Sequence, residues 1–431
     1  MAHTTEYTEA PASANAMPAP TWHRLKVSDA EVMLPACQPI ESCVSFELDG
    51  VRLVDCENDD FTPFDAALSA FQEELDAQTG SQRPRAVETA AQQVEETGNL
   101  DLPALSLYQR EAVLQEICGS VADTFCTGMG DEAYSFLREV AGGRTVLVAP
   151  AESYSSATIR IAAVEGASSA ACVDVVAEAG STLKLLISYE GEIHQGFVGS
   201  GLRVFAAKGS RVEVHSVQSL TGDVTVFDDS GYVLEPAAHV VVTHRVLGAA
   251  KAFTGLAADL RGEASRIDVA TRYIGASQQQ RDFNYSVKQR GKCTESSMDA
   301  NGVLSGSSKK TLRGTIDFVH GCKGSVGNER ETVLLADDEV ENKTVPVILC
   351  DEDDVMGNHG ATIGHVRPEQ RFYLNCRGLS DAAIESLFSA AAIEEAYLEF
   401  DDQKVRHQIE LLAAERGVDM SALSDYQEQE A

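Results

Sequence analysis

Two hydrophobic periods divide this chain. From Phe61 to Leu137 apolar residues recur at three- and four-residue spacing. Phe64, Ala67, Leu68, Phe71 and Leu75 fall on one face of a helix. The stretch Gly80 to Arg85 breaks that pattern, residues 86–98 read as a polar helix, and Leu107, Val113, Leu114, Ile117, Val121 and Phe125 mark a third helical stripe, read as core. Near Gly142 the texture changes. Short Val-, Ile- and Leu-rich segments then follow one another between Gly, Ala-Gly and Asp turns, beginning with Thr145–Val148 and Ala157–Ala163 and continuing through Arg266–Tyr273. Such spacing suits a sandwich, a barrel or a β-helix. Arg211-Val212-Glu213-Val214-His215 alternates as a half-buried wall does, and the hairpin dipeptides Asn-Gly and Asp-Gly are rare. Both features favour a parallel β-helix, although no clean repeat period is visible.

Helical spacing returns at the C-terminal end. Ser380 is placed to cap a helix whose stripe is Ile384, Leu387, Phe388 and Ala391, continued by Ile393, Ala396 and Tyr397. A second helix is predicted over 402–416, with Val405, Ile409 and Leu412 on one side. This hairpin can pack as core, dock a partner, or do both with different faces. Between the β region and the tail, Phe372-Tyr373-Leu374 reads as an aromatic strand ending at Arg377-Gly378. The expected organisation is mainly β: a disordered lead over 1–20, rich in Ala, Pro, Ser and Thr; a mostly helical region over 21–138, with strand-like pieces such as Val44–Leu48 before residue 57; a β-helix core over 139–378; and a helical region over 379–431.

Charge narrows the function. With 34 basic against 67 acidic residues, the net charge is −33, and such a surface repels nucleic-acid phosphates and anionic lipid alike. No run approaches the roughly 20 apolar residues of a membrane span, and the N-terminus lacks the basic-then-apolar pattern of a secretory signal. Ten scattered Cys without a C-x-x-C pair fit reduced thiols in a cytoplasmic protein better than a disulfide framework or a zinc site. No Walker A motif is present, so no ATP is expected on this chain.

The candidate chemistry gathers between residues 320 and 378. His359 lies between Gly357 and Gly360, where an imidazole is either held by a backbone carbonyl or left accessible to a metal. Cys350 ends the apolar run Val347-Ile348-Leu349, and Cys376 ends the aromatic segment; both positions suggest buried thiols. His320 and Cys322 form a His-x-Cys pair in a small-residue turn, which is two ligands and not a site. The run Asp351 to Asp354 lacks the spacing of a calcium loop and reads as a solvated edge. It leaves one alternative open, a carbohydrate-active β-helix enzyme using these carboxylates as acid and base.

The stretch from Asp353 to Leu379 resembles the C-terminal motif of the SufB/SufD family of iron–sulfur cluster assembly scaffolds. Asp353-Asp354-Val355, His359-Gly360-Ala361-Thr362, Gly364, Phe372-Tyr373-Leu374 and Arg377-Gly378-Leu379 match in order. Gly302-Val303-Leu304 and Leu312-Arg313-Gly314-Thr315-Ile316 are similar to further family segments, as are the stretches 246–250 and 260–265, and the likeness covers roughly 135–400. It implies a right-handed parallel β-helix between helical ends, a non-catalytic scaffold role, pairing with a SufB-like chain or a second copy, and docking of a SufC-type ABC ATPase on the C-terminal helices through Ile384, Leu387, Phe388 and Tyr397. A transient iron–sulfur cluster would form at the subunit interface with His359 as iron ligand, and with Cys350 and Cys322 as weaker candidates; flavin binding is left open. Two departures stand out. SufD-type members often carry a Cys two residues before this His, where Gly357 stands here. SufB-type members usually carry a Cys at the strand position that Glu331 occupies here. The chain therefore resembles the SufD type, as half of a site.

Overall fold

The structure is a computed structural model describing residues 10–18, 27–35, 43–54, 66–67, 125–418 and 420. The helical stripes read at 64–75 and 105–125 lie almost wholly outside the described residues. Strands β5 (Thr145–Ala149) to β20 (Val355–His365) wind into a parallel β-solenoid of about eight turns. Even-numbered strands form one sheet and odd-numbered strands the other, each pairing with the strand two further along. Arg211 lies opposite His239, His239 opposite Arg266, and Arg266 opposite Glu295, so successive coils take 28, 27 and 29 residues.

Alternation explains why these segments stack. Leu183, Leu185 and Ile187, then Val212 and Val214, then Val240 and Val242 point into one continuous apolar lumen. Each buried aliphatic side chain there contributes roughly 1.5–3 kcal/mol. At one corner a single residue per coil takes a positive φ: Gly180, Gly209, Ala237, Ala264, Cys293 and Gly324. Its amide donates to a carbonyl of the next coil, as Ala237 N does to Glu263 O (2.9 Å) and Ala264 N to Lys292 O (2.8 Å). Glycine suits this left-handed position, yet Ala and Cys hold it in three consecutive coils.

Both outer faces are partly covered. Helix α1 (Asp131–Ala141) lies on the odd sheet, with Ala133, Leu137 and Val140 buried over Phe197, Phe227 and Phe253, whose rings stack edge-on at 5.0 and 5.5 Å. Gly199 makes room for it, since a Cβ there would come 2.3 Å from Leu137 Cδ2. Strands β1 (Ala10–Ala14) and β2 (Ala30–Leu34) pair antiparallel alongside. Arg313 pins the segment before β2 by donating Nε to Val27 O (2.5 Å) and Nη1 to Asp282 Oδ1 (2.6 Å).

On the even sheet sits a helical hairpin, α3 (Asp381–Glu399) and α4 (Gln403–Glu415). Ser380 caps α3, its Oγ accepting from Ala383 N, and Asp402 caps α4. Ile393, Ala396, Tyr397, Val405, Ile409 and Leu412 are buried against Val217, Leu247 and Ile274 of the solenoid. Arg160 fixes the junction through Asp402 (2.6 Å), Glu190 (2.7 Å) and Glu47 (2.8 Å).

Three expectations change. Ala10–Ala14 is a strand inside the segment read as disordered; within 21–138, β3 (Val44–Asp49) falls on the strand-like piece read at 44–48, while β2 and β4 (Arg52–Val54) are further strands in a region read as mostly helical. The solenoid ends at His365, not at 378. Phe372-Tyr373-Leu374 lies in helix α2 (Pro368–Cys376), not in a strand. Pro368 at its first position presets the helical φ, Gln370 Oε1 accepts from Arg367 N, and Gly378 closes the helix at φ 93°.

Candidate functional site

Among the described residues no further coil follows at the C-terminal end of the solenoid. There, strand β20 pairs only with β18 (Ser325–Leu335), and β19 (Glu341–Cys350) only with β17 (Lys309–Phe318), among the described residues. In β18, Ser325, Gly327, Glu329, Glu331 and Val333 are buried and face the lumen. Their register partners on β20 are Val355, Gly357, His359, Ala361 and Ile363. Parallel strands in register share a face, so His359 points to the lumen side, directly above Glu329. It is exposed because nothing stacks over it. On the other face, Asn358 Nδ2 donates to Asn328 Oδ1 (3.0 Å), which holds the strand in register. Gly357 faces inward too: a Cβ there would lie 3.0 Å from the Phe318 ring and 3.2 Å from Ile348. The thiol missing from this position would therefore share a face with His359.

Beneath this open end lies a buried polar floor that sequence reading did not find. Lys310 and Glu331 are each 1 % exposed, with Lys310 Nζ 2.5 Å from Glu331 Oε1. Tyr273 Oη donates to Glu331 Oε1 (3.0 Å) and Thr344 Oγ1 to Glu331 Oε2 (2.5 Å), while Lys310 also donates to Lys343 O (3.2 Å). Burial lowers the Lys310 pKa against the pull of Glu331, and burial raises the Tyr273 phenol well above its usual value. Glu331 is thus fully engaged. Glu329, two residues earlier on the same face, is different. It is 6 % exposed, and its Oε2 has no hydrogen-bond partner. Burial, reinforced by the Glu331 charge, pushes its carboxyl up to about 7. Its side chain fills space left by Gly314, where a Cβ would sit 2.2 Å from Oε1.

Two charged residues at inward positions of an otherwise apolar wall, Glu329 and Glu331, were the available signal. Their cation, Lys310, stands 21 residues before Glu331 and meets it only through coil stacking.

The other candidates lie elsewhere. Cys322 is buried, and desolvation pushes its thiol up to about 11, which disfavours the thiolate a metal needs. Cys350 and Cys376 are exposed, not buried as their neighbours suggested; Cys350 Sγ donates to Glu352 O (3.2 Å). Cys322 and Cys350 belong to the corner before β20, whereas His359 is four residues into that strand, roughly 13 Å along it. In the acidic run, Glu352 accepts from the amides of Gly321 (3.0 Å) and Asp353 (3.1 Å), so it caps a turn. Among the described residues no three His, Cys, Asp or Glu side chains gather as a metal site. Of the tail candidates, Ile384 and Tyr397 are buried, Phe388 is half-buried, and Leu387 is exposed with Leu398 on the same helix. No helix among the described residues is long and apolar enough to cross a membrane.

Residues 159–392 match the family model described as the SUF system FeS cluster assembly, SufBD core domain. The iron–sulfur cluster assembly protein SufD of Bacillus subtilis is 28 % identical over 145 residues, 33 % of each chain. A SufBD family protein of Mycobacterium leprae is 28 % identical over 122 residues, 28 % of this chain and 14 % of that one. One from Staphylococcus epidermidis is 24 % identical over 135 residues, 31 % of this chain and 29 % of its own length. The chain thus aligns with a third or less of the length of these relatives.

Proposed function

The chain belongs to the SufBD family of the SUF iron–sulfur cluster assembly system, and from that membership we propose that it is a SufD-like, non-catalytic scaffold subunit that presents iron at the open end of its solenoid. Membership itself supports a role in iron–sulfur assembly within a SufBCD-type complex. The observation that carries the finer reading is the uncapped rung of β19 and β20, with His359 on its lumen side. A free sheet edge is a template for another strand. Apolar Met356 and Ile363 on β20, and Phe372 and Tyr373 on the adjoining α2, stand half or more exposed beside it. A SufB-like chain or a second copy would close this edge and bring the thiolate and remaining donors that Gly357 and Glu331 do not supply. The nascent cluster is then cargo held between two chains, one imidazole from this side. In this reading the protein works in the cytoplasm.

The C-terminal hairpin is the proposed dock for a SufC-type ATPase. Its buried face already covers Val217, Leu247 and Ile274, so only its outer face, with Leu387 and Leu398, is free for a partner. Deleting the hairpin would strip the solenoid. Leu387→Asp is the cleaner test: ATPase capture should fall at least tenfold with the fold intact, and unchanged capture removes the docking assignment. For the open end, anaerobic reconstitution of the assembled complex with iron and sulfide is the measurement. His359→Ala should lower the visible cluster absorption while the complex still assembles; an unchanged yield removes His359 from the site.

A further inference from the structure

The geometry points to Glu329 as a second iron donor of this chain, acting with His359 on one divalent ion before sulfide arrives. This rests on the reading of the open end as the place where iron is handled, and it adds a residue that the sequence motifs do not include. Three observations carry it. Glu329 and His359 are register partners on adjacent parallel strands, so both side chains leave the same face with their strands about 4.8 Å apart. Glu329 is buried with an unpartnered carboxylate oxygen, whereas buried polar atoms are ordinarily hydrogen-bonded, and an orphan asks for a ligand. The neighbouring carboxylate cannot take its place, because Lys310, Tyr273 and Thr344 occupy both oxygens of Glu331.

The space is provided as well. On the opposite wall Gly314 leaves the gap that the Glu329 carboxyl fills. Lys310 Nζ is spent on Glu331, Thr344 and the Lys343 carbonyl, so no cation neutralises Glu329 by direct contact. A carboxylate and an imidazole are the mixed donors that ferrous iron accepts, and the remaining positions fall to water or to the second chain.

The test uses the purified full chain and Co(II) as a stand-in for Fe(II), titrated by visible absorption and calorimetry. The wild type should bind about one ion per chain, and Glu329→Gln, which keeps shape and removes charge, should weaken it at least tenfold. His359→Ala should do the same. The double variant should be little worse than either single one, because either loss already breaks the chelate. Thermal melting of Glu329→Gln should match or exceed the wild type, which a structural carboxylate would not allow. If Glu329→Gln does not fold, Gly314→Ala displaces the carboxyl from the facing strand and should weaken binding in its place. Affinity within threefold of wild type in the folded Gln variant, or losses that multiply in the double variant, would overturn the inference while leaving His359 in place. Silence of His359→Ala as well would remove the underlying reading.

Discussion

The two ends of the solenoid are finished in opposite ways. At the N-terminal end the outermost strands run against the grain: β3 pairs antiparallel with β6 (Tyr154–Ala162) and β4 antiparallel with β5, one on each sheet. Val44, Phe46 and Leu48 pack onto the lumen core there. A reversed strand cannot extend a parallel ladder in register, so it blocks the edge. At the C-terminal end nothing reverses. The last strands are parallel, their outer edges are unpaired among the described residues, and the lumen beneath them changes from aliphatic to charged. One end is sealed by backbone from outside, the other from inside by the Lys310–Glu331 pair. In one molecule made of near-equal coils, this difference separates an edge that must stay inert from one left available.

The comparison breaks most readily at the inner seal. Lys310→Met removes the cation from a fully buried carboxylate and should cost about 3–5 kcal/mol in urea unfolding. The double variant Lys310→Met with Glu331→Leu should recover most of that loss, since the desolvation of both charges goes with them. A single variant as stable as wild type would mean that the pair does not close the open end.

The outer seal should yield a smaller effect. Arg160, 5 % exposed, gathers Glu47 of the capping strand, Glu190 and Asp402 at the base of the C-terminal hairpin. Those carboxylates keep 55 %, 23 % and 22 % of their side-chain surface exposed, so solvent screening limits their contribution. Arg160→Ala should destabilise by about 2 kcal/mol. Hydrogen exchange should quicken in β3 and β6 and leave β18 and β20 unchanged; equal quickening at both ends would erase the distinction.

A pH effect sharpens the comparison further. The Glu329 carboxyl is held near 7 in the fold, above its ordinary value of 4.5, so the folded state binds the proton more tightly than the unfolded one. Its contribution is fully present below pH 4.5 and is lost as pH rises through 7. Glu329→Gln should therefore flatten the fall in melting temperature between pH 5 and 8. An unchanged slope would show that the carboxyl titrates normally.

Much of this architecture is legible in the sequence. Alternation in Arg211–His215 and the scarcity of hairpin dipeptides predict parallel coils, and the capped tail helices are readable from Ser380 onward. The coil period is not legible for a physical reason. Coil length drifts between 26 and 32 residues, from Thr225 opposite Lys251 to Lys309 opposite Glu341, and the left-handed corner is filled by Gly in some coils but by Ala237, Ala264 and Cys293 in others. The aromatic segment at 372–374 misleads because neighbouring aromatics raise strand propensity, while Pro368 and Gly378 set the boundaries of a helix. At the candidate site His359 is marked by its small neighbours. Glu329 shows only as a second charge beside Glu331 on an inward face, and Lys310 not at all, because Gly314 and the Lys310–Glu331 contact come from strands 15 and 21 residues away in sequence.

The reversed strands at the N-terminal end also bear on how the protein is made. In chain order β3 and β4 leave the ribosome before the strands they cap. Each later coil then lands on a stack that already has its rear side shut, so growth has a single front and a single direction. That front comes to rest as the rung of β19 and β20, and the hairpin of α3 and α4, made after it, folds back onto the even sheet and leaves this edge unpaired among the described residues.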